Sequence, residues 1–194
     1  MRRRSVLVGL SVALVMTTAC TTGSGQIVSE TRDVGDFDRI DVSGGVPVDL
    51  TVAPDAVTEV VSTYDDNLQD KIRTEVVDGT LIIEPNGSFT VTGSGRLIEV
   101  AVPSLAGLLV SGGANVEGFG ATDHLDLEVD GGANVDLSDL VVQTMDIIVS
   151  SGAHVTVTTE TGIAGEVDGG ANLTIQGDPE TRDVDVSGGG NVTG

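Results

Sequence analysis

The chain has no tryptophan, one tyrosine and one cysteine among 194 residues, and nine lysines and arginines against 30 aspartates and glutamates. Each shortage excludes something. With aromatics at 2%, neither a core of large rings nor a platform for stacking sugars or bases is available. The lone Cys20 permits no internal disulfide. Two histidines, His124 and His154, stand far apart in the sequence and give no zinc-ligand spacing. So few basic residues also remove nucleic acid as a partner, because nothing could neutralise phosphates in a row. Helical 3.6-residue periodicity is almost absent, which leaves β structure.

What is present begins with an export signal. Arg2, Arg3 and Arg4 precede the uncharged run Ser5 to Met16, too short for a committed membrane span. The following Thr17-Thr18-Ala19-Cys20 resembles a bacterial lipobox. That resemblance implies cleavage before Cys20, acylation of its thiol and a lipid-anchored place in the envelope, outside the cytoplasm. Arg3-Arg4-Ser5-Val6-Leu7 is similar to a twin-arginine signal. Removing residues 1–19 takes three of the nine basic residues and no acids, leaving six against 30 and a net charge of −24. Such a surface repels anionic headgroups. Its ordinary role is solvation, and collecting divalent cations is the sharper alternative. Residues 20–33, with TTGSGQIVSE at 21–30, read as a flexible tether, and 34–194 as a β domain.

Within that domain residues 34–104 form a hairpin-rich half. FDRIDV, VPVDLTV, TEVVSTY, KIRTEVV, TLIIEP and RLIEVAV alternate apolar and polar positions, the period of a half-buried strand. Asp78-Gly79 between two such runs predicts a tight hairpin turn, since both residues tolerate positive φ. Asp65 to Asp70 is open to either a helical turn or a loop.

Residues 105–194 repeat. VSGGANV, VDGGANV, VSSGAHV, VDGGANL and VSGGGNV begin at Val110, Val129, Val149, Val167 and Val186, at intervals of 19, 20, 18 and 19 residues. Short strands and glycine turns at a fixed period predict a β-solenoid: a right-handed parallel β-helix with about 19 residues per coil. Its turns use Gly112, Gly113, Gly131, Gly132, Gly152, Gly169, Gly170, Gly188 and Gly189. The leading valines, and the aliphatic positions two before and six after them, should point inward; Glu128, Glu166 and Asp185 should point out. Alternating Ser111, Asp130, Ser150, Asp168 and Ser187 keeps aspartates two coils apart. A related unit at Val42 carries Pro47 where the others carry asparagine, which suggests a sheet edge.

Asn115, Asn134, His154, Asn172 and Asn191 share one position per repeat. They predict a stacked amide ladder at the corner, with asparagine accepting left-handed angles beside the glycines. Competing chemistries fit less well. A calcium roll needs an aspartate in every coil, whereas that column reads Glu117, Asp136, Thr156, Thr174 and Thr193. A nucleophilic serine should be singular, and the turn serines recur. A polysaccharide lyase or glycosidase would cluster acids with a base, and Lys71, Arg73, Arg96 and Arg182 are scattered. No catalytic residue, metal or cofactor is expected.

FDRIDVSGGVPVDLTV at 37–52, NLQDKIRTEVVDGTLIIEP at 67–85 and the later SGGANV-like turns together resemble the bacterial head GIN domain family of auto-transporter adhesins, over about 35–194. The resemblance implies a right-handed parallel β-helix without the catalytic residues of pectin lyases, and surface adhesion. It carries no family-wide binding residue onto this chain. The expected function is an envelope lipoprotein displaying a non-enzymatic binding or structural module, partnered by a glycan, an envelope protein or a second copy through an open last coil. The alternative is a degenerate β-helix carbohydrate-active enzyme, which a contiguous groove with three or more acids and an arginine would favour.

Overall fold

The computed structural model describes residues 20–91 and 93–194; the expected export signal and the first three positions of the lipobox-like stretch lie outside them. The described chain is all-β with one short 3-10 turn, Gln69–Lys71. Its strands are β1 (Thr21–Thr22), β2 (Ile27–Thr31), β3 (Arg39–Val42), β4 (Pro47–Val52), β5 (Glu59–Asp65), β6 (Ile72–Val77), β7 (Thr80–Pro85), β8 (Phe89–Thr90), β9 (Leu97–Val102), β10 (Gly107–Val110), β11 (Asn115–Val129), β12 (Asn134–Val149), β13 (His154–Val167), β14 (Asn172–Gln176), β15 (Thr181–Val186) and β16 (Asn191–Thr193). All but β1 and β8 join one large, strongly curled sheet.

Parallel pairing dominates from β10 onward. Val110 pairs with Val129, Val129 with Val149, Val149 with Val167 and Val167 with Val186, so equivalent residues of successive repeats lie side by side. Curling follows because each long strand serves two sets of neighbours. The first part of β11 pairs with β4 and its last part with β10. Along β11 the inward-outward alternation slips before Leu125.

Aliphatic columns fill the interior. Ile40, Leu81, Leu108, Leu127 and Ile147 stack in one, and Val48, Ile98, Val116, Val135, Val155 and Leu173 in another, all buried. Each buried leucine or isoleucine contributes about 1.5–3 kcal/mol, so repetition of small side chains replaces rings. Gly165 interrupts the first column, and the reason is backbone proximity. A Cβ there would come within 1.8 Å of the Ile147 carbonyl oxygen.

The unit at Val42 is stacked directly on the repeats. β3 pairs with β10 on one side and β7 on the other, and β4 lies between β11 and β9. Pro47 is therefore not at an edge; it opens an internal strand, where proline is tolerated at the first residue. Antiparallel partners close this end of the stack, with β6 on β7, β5 on β9 and β2 on β5. The β6–β7 hairpin turns through Asp78 and Gly79, with φ of 49° and 79°, the signs a type I′ turn needs.

Residues 20–33 are not the free tether their composition predicts. β1 pairs with β8, and β2 pairs with β5 from Ile27–Asp65 to Thr31–Val61. Buried polar groups hold this segment. The Gly25 amide donates to Asp65 Oδ1 at 2.7 Å, and Arg96 Nε donates to Asp65 Oδ2 at 2.6 Å. Gln69 donates from Nε2 to the Val28 carbonyl at 2.8 Å and accepts from Ser62 Oγ and Arg32 Nη2. Small polar residues suggested a linker, and these partners, some forty residues away in sequence, decided otherwise.

At the other end the last repeat is open. Val186 is 50% exposed, unlike the other leading valines. The strands β15 and β16 each pair on one side only, with β13 and β14. No strand among the described residues lies beyond to cover them.

Candidate functional site

The repeated turns have one geometry. Ala114 donates its amide to the Ser111 carbonyl at 3.1 Å and Ala171 donates to Asp168 at 2.9 Å, with equivalent bonds at Ala133, Ala153 and Gly190. Both central residues have positive φ in every turn, as a type I′ turn requires. At the third turn the first central residue is Ser151, at φ 54°. The following alanines 114, 133, 153 and 171 are fully buried, so each turn anchors inward.

The asparagine column departs from expectation. None of Asn115, Asn134, Asn172 and Asn191 has positive φ; the glycines, with Ser151 in the third turn, take the left-handed angles, and the asparagines open the next strand. They do align, Asn115 with Asn134, His154, Asn172 and Asn191 in sequential register. One amide link joins the column, Asn134 Nδ2 to Asn115 Oδ1 at 3.1 Å. His154 Nδ1 and Asn172 Nδ2 turn back to carbonyls of their own turns, at Gly152 and Gly170. The adjoining serine–aspartate column behaves as expected: Ser150 Oγ donates to Asp130 Oδ1 at 2.9 Å, and hydroxyl and amide donors from Ser151, Ser150 and Gly131 hold the Asp130 carboxyl below the usual range.

Chemistry concentrates elsewhere, on the outward face of β10 to β13. A cleft of about 510 Å³ is lined by Arg39, Asp126, Glu128, Asp146 and Glu166 around Leu109 and Ile148. Register builds it: Arg39, Gly107, Asp126, Asp146 and Ala164 are successive partners across five strands. Gly107 lets Arg39 reach over it. A Cβ on Gly107 would stand 2.8 Å from Arg39 Nη1, and the open position allows Arg39 Nη2 to donate to Asp126 Oδ2 at 2.9 Å.

His124 enters from the same strand as Asp126, two residues earlier and on the same face. Its Nε2 lies 3.0 Å from Asp126 Oδ1 and 3.8 Å from Asp146 Oδ2. Arg39 and then His124 draw the Asp126 carboxyl below the usual range. Burial, and after it the charge of Glu84, pushes Asp41 up, but Asp41 does not line the cleft.

None of Arg39, Asp126 and Asp146 stood out in the sequence. Aligning positions three before the leading valines would have found Asp126 and Asp146, since a 20-residue step puts both carboxylates in one column about 4.8 Å apart. Arg39 comes from the unit at Val42, whose place in the stack the sequence did not reveal. The scattered bases are spent elsewhere: Arg96 on Asp65, Arg73 on Glu75 and Glu84, and Arg182 on the Gly194 carbonyl. Cys20 is exposed at the start of β1, its Sγ 3.4 Å from Thr90 Oγ1.

The model of the family described as "Putative auto-transporter adhesin, head GIN domain" matches residues 36–118 and again 109–179. The chain belongs to this family. Two overlapping matches agree with a unit at Val42 stacked on later repeats. Proteins of solved structure share the fold. A putative adhesin from Bacteroides fragilis is 19% identical with a TM-score of 0.55, over 89% of this chain and 98% of that one. Another from Parabacteroides merdae is 16% identical with a TM-score of 0.50, over 89% and 98%. No curated protein matches the chain. No helix among the described residues is long and apolar enough to cross a membrane.

Proposed function

We propose that this head GIN protein is a lipid-anchored envelope lipoprotein whose domain, a right-handed parallel β-helix with coils of about 19 residues, serves non-enzymatically to bind a glycan or an envelope protein. In-register parallel pairing of the five leading valines supports the coil reading. The family's adhesin description supports binding at the cell surface. The anchor would be Cys20, exposed and free at the first described position.

One observation carries the non-enzymatic reading. The cleft is an open depression in a repeated acidic face, and its ion-paired carboxyl, Asp126, is pushed down. A glycosidase needs one carboxyl held protonated beside an ionised one. Among the described residues, burial pushes up the carboxyl of Asp41, which stands outside the lining.

A second reading has support of its own. Four acids and one arginine do share the cleft, the composition that favours a degenerate carbohydrate-active enzyme. A binding screen over glycans and envelope proteins, with turnover assays on uronate polysaccharides, separates the two. Binding without product, weakened by Glu166→Gln, is expected; product formation abolished by Asp126→Asn would establish the enzyme. For the anchor, Cys20→Ala is expected to release the protein from the membrane fraction, and unchanged fractionation would remove it.

A further inference from the structure

The His124 ring stands between two carboxylates and a hydroxyl. Its Nδ1 lies 3.0 Å from Thr144 Oγ1, and that hydroxyl donates its single hydrogen to the Asp123 carbonyl at 3.3 Å. Thr144 thus takes up Nδ1, and Nε2 is the ring nitrogen left to face the carboxylates. Nε2 lies 3.0 Å from Asp126 Oδ1 and 3.8 Å from Asp146 Oδ2. Asp126 and Asp146 are also direct cross-strand partners, a like-charge pairing that destabilises a sheet. One ring nitrogen and two carboxylate oxygens therefore converge on one point, where a metal ion that displaces the Nε2 proton would be held by all three.

We propose that His124 Nε2, Asp126 Oδ1 and Asp146 Oδ2 form a binding site for a divalent transition-metal ion of the zinc class. The three ligand atoms lie within 4.8 Å of one another. Ligands at about 2.0–2.2 Å from zinc stand about 3.0–3.5 Å apart, so the His124–Asp126 spacing fits and Asp146 needs a small side-chain rotation, free to it at 68% exposure. The surroundings match what orients metal ligands. Thr144 fixes the ring from Nδ1, and Arg39 holds Asp126 through Oδ2, leaving Oδ1 turned to His124. One nitrogen and two carboxylate oxygens suit zinc or manganese, whereas calcium prefers oxygen ligands throughout. Three protein ligands leave coordination positions open toward the cleft. A carboxylate or vicinal hydroxyls of a bound molecule could complete them, but the metal site stands independently of what the protein adheres to.

Isothermal titration of the purified protein with zinc chloride at neutral pH, in a buffer that does not chelate, tests this. One ion per chain is expected. Asp146→Asn, an exposed swap of equal size, and His124→Ala should each weaken binding at least about tenfold; His154→Ala, on the turn corner, should leave it unchanged. A hundredfold excess of calcium should not displace the zinc. Lack of saturable binding, binding that survives both ligand variants, or calcium competing at equal concentration would each overturn the site, the last by reducing it to unspecific acidity. Melting each variant without metal checks its fold, and Asp146→Asn keeps the test decisive if His124→Ala unfolds.

Discussion

At the scale of single residues the paired turn glycines differ in what they require. Gly131 and Gly132 have φ of 66° and 74°, but only at Gly131 would a Cβ meet backbone, the Gly112 nitrogen at 3.0 Å. Gly132 faces open space. Gly132→Ala should therefore cost the left-handed backbone term, about 1–2 kcal/mol, and Gly131→Ala more, by urea unfolding of both variants. Equal losses would show that stacking adds nothing. Asn134 supplies one exposed amide bond to Asn115, so Asn134→Leu should cost only about 0.5–1.5 kcal/mol. His154→Asn should not lower stability, since His154 already bonds within its own turn.

At the scale of elements, the attachment of β2 rests on Asp65. The Arg96 side chain is first among the causes that hold its carboxyl below the usual range, with the Gly25 amide assisting against burial. A folded-state pKa below the unfolded one stabilises wherever the carboxyl is ionised in both states. That contribution is present above the unfolded value of about 3.9 and is lost as pH falls through the lower folded value. Asp65→Asn should thus be markedly less stable than the parent protein at pH 7, with Arg96 left buried and uncompensated. The difference should shrink in urea melts taken from pH 5 to pH 2. A gap independent of pH over that range would show that Asp65 acts by shape alone. The same pairing means that an acylated Cys20 would hold the domain close to the bilayer, because β1 follows Cys20 at once.

At the scale of the molecule, the two ends of the sheet differ. Antiparallel strands cover one, whereas β15 and β16 present unpaired backbone groups and the half-exposed Val186. Unpaired edges template further pairing. Self-association through this edge is expected, seen as a concentration-dependent mass in light scattering and abolished by Val186→Lys. Monomer at every concentration would show that acidic repulsion prevails, since Glu180, Asp183 and Asp185 belong to the same end.

The all-β class, the repeat, the glycine turns, the hairpin at Asp78-Gly79 and the inward columns were legible in the sequence alone. The reason is locality: period-two alternation and positive-φ residues act within a few neighbours, and a regular period extends the pattern along the chain. The tertiary structure decided what joins distant segments. It placed the Val42 unit inside the stack, bound residues 20–31 through Asp65 and Gln69, and carried Arg39 across Gly107 to Asp126. It also set His124 and Asp146 against that same carboxylate. These contacts depend on which strand lies beside which, and register between segments far apart in sequence is fixed only when the whole sheet closes over its core.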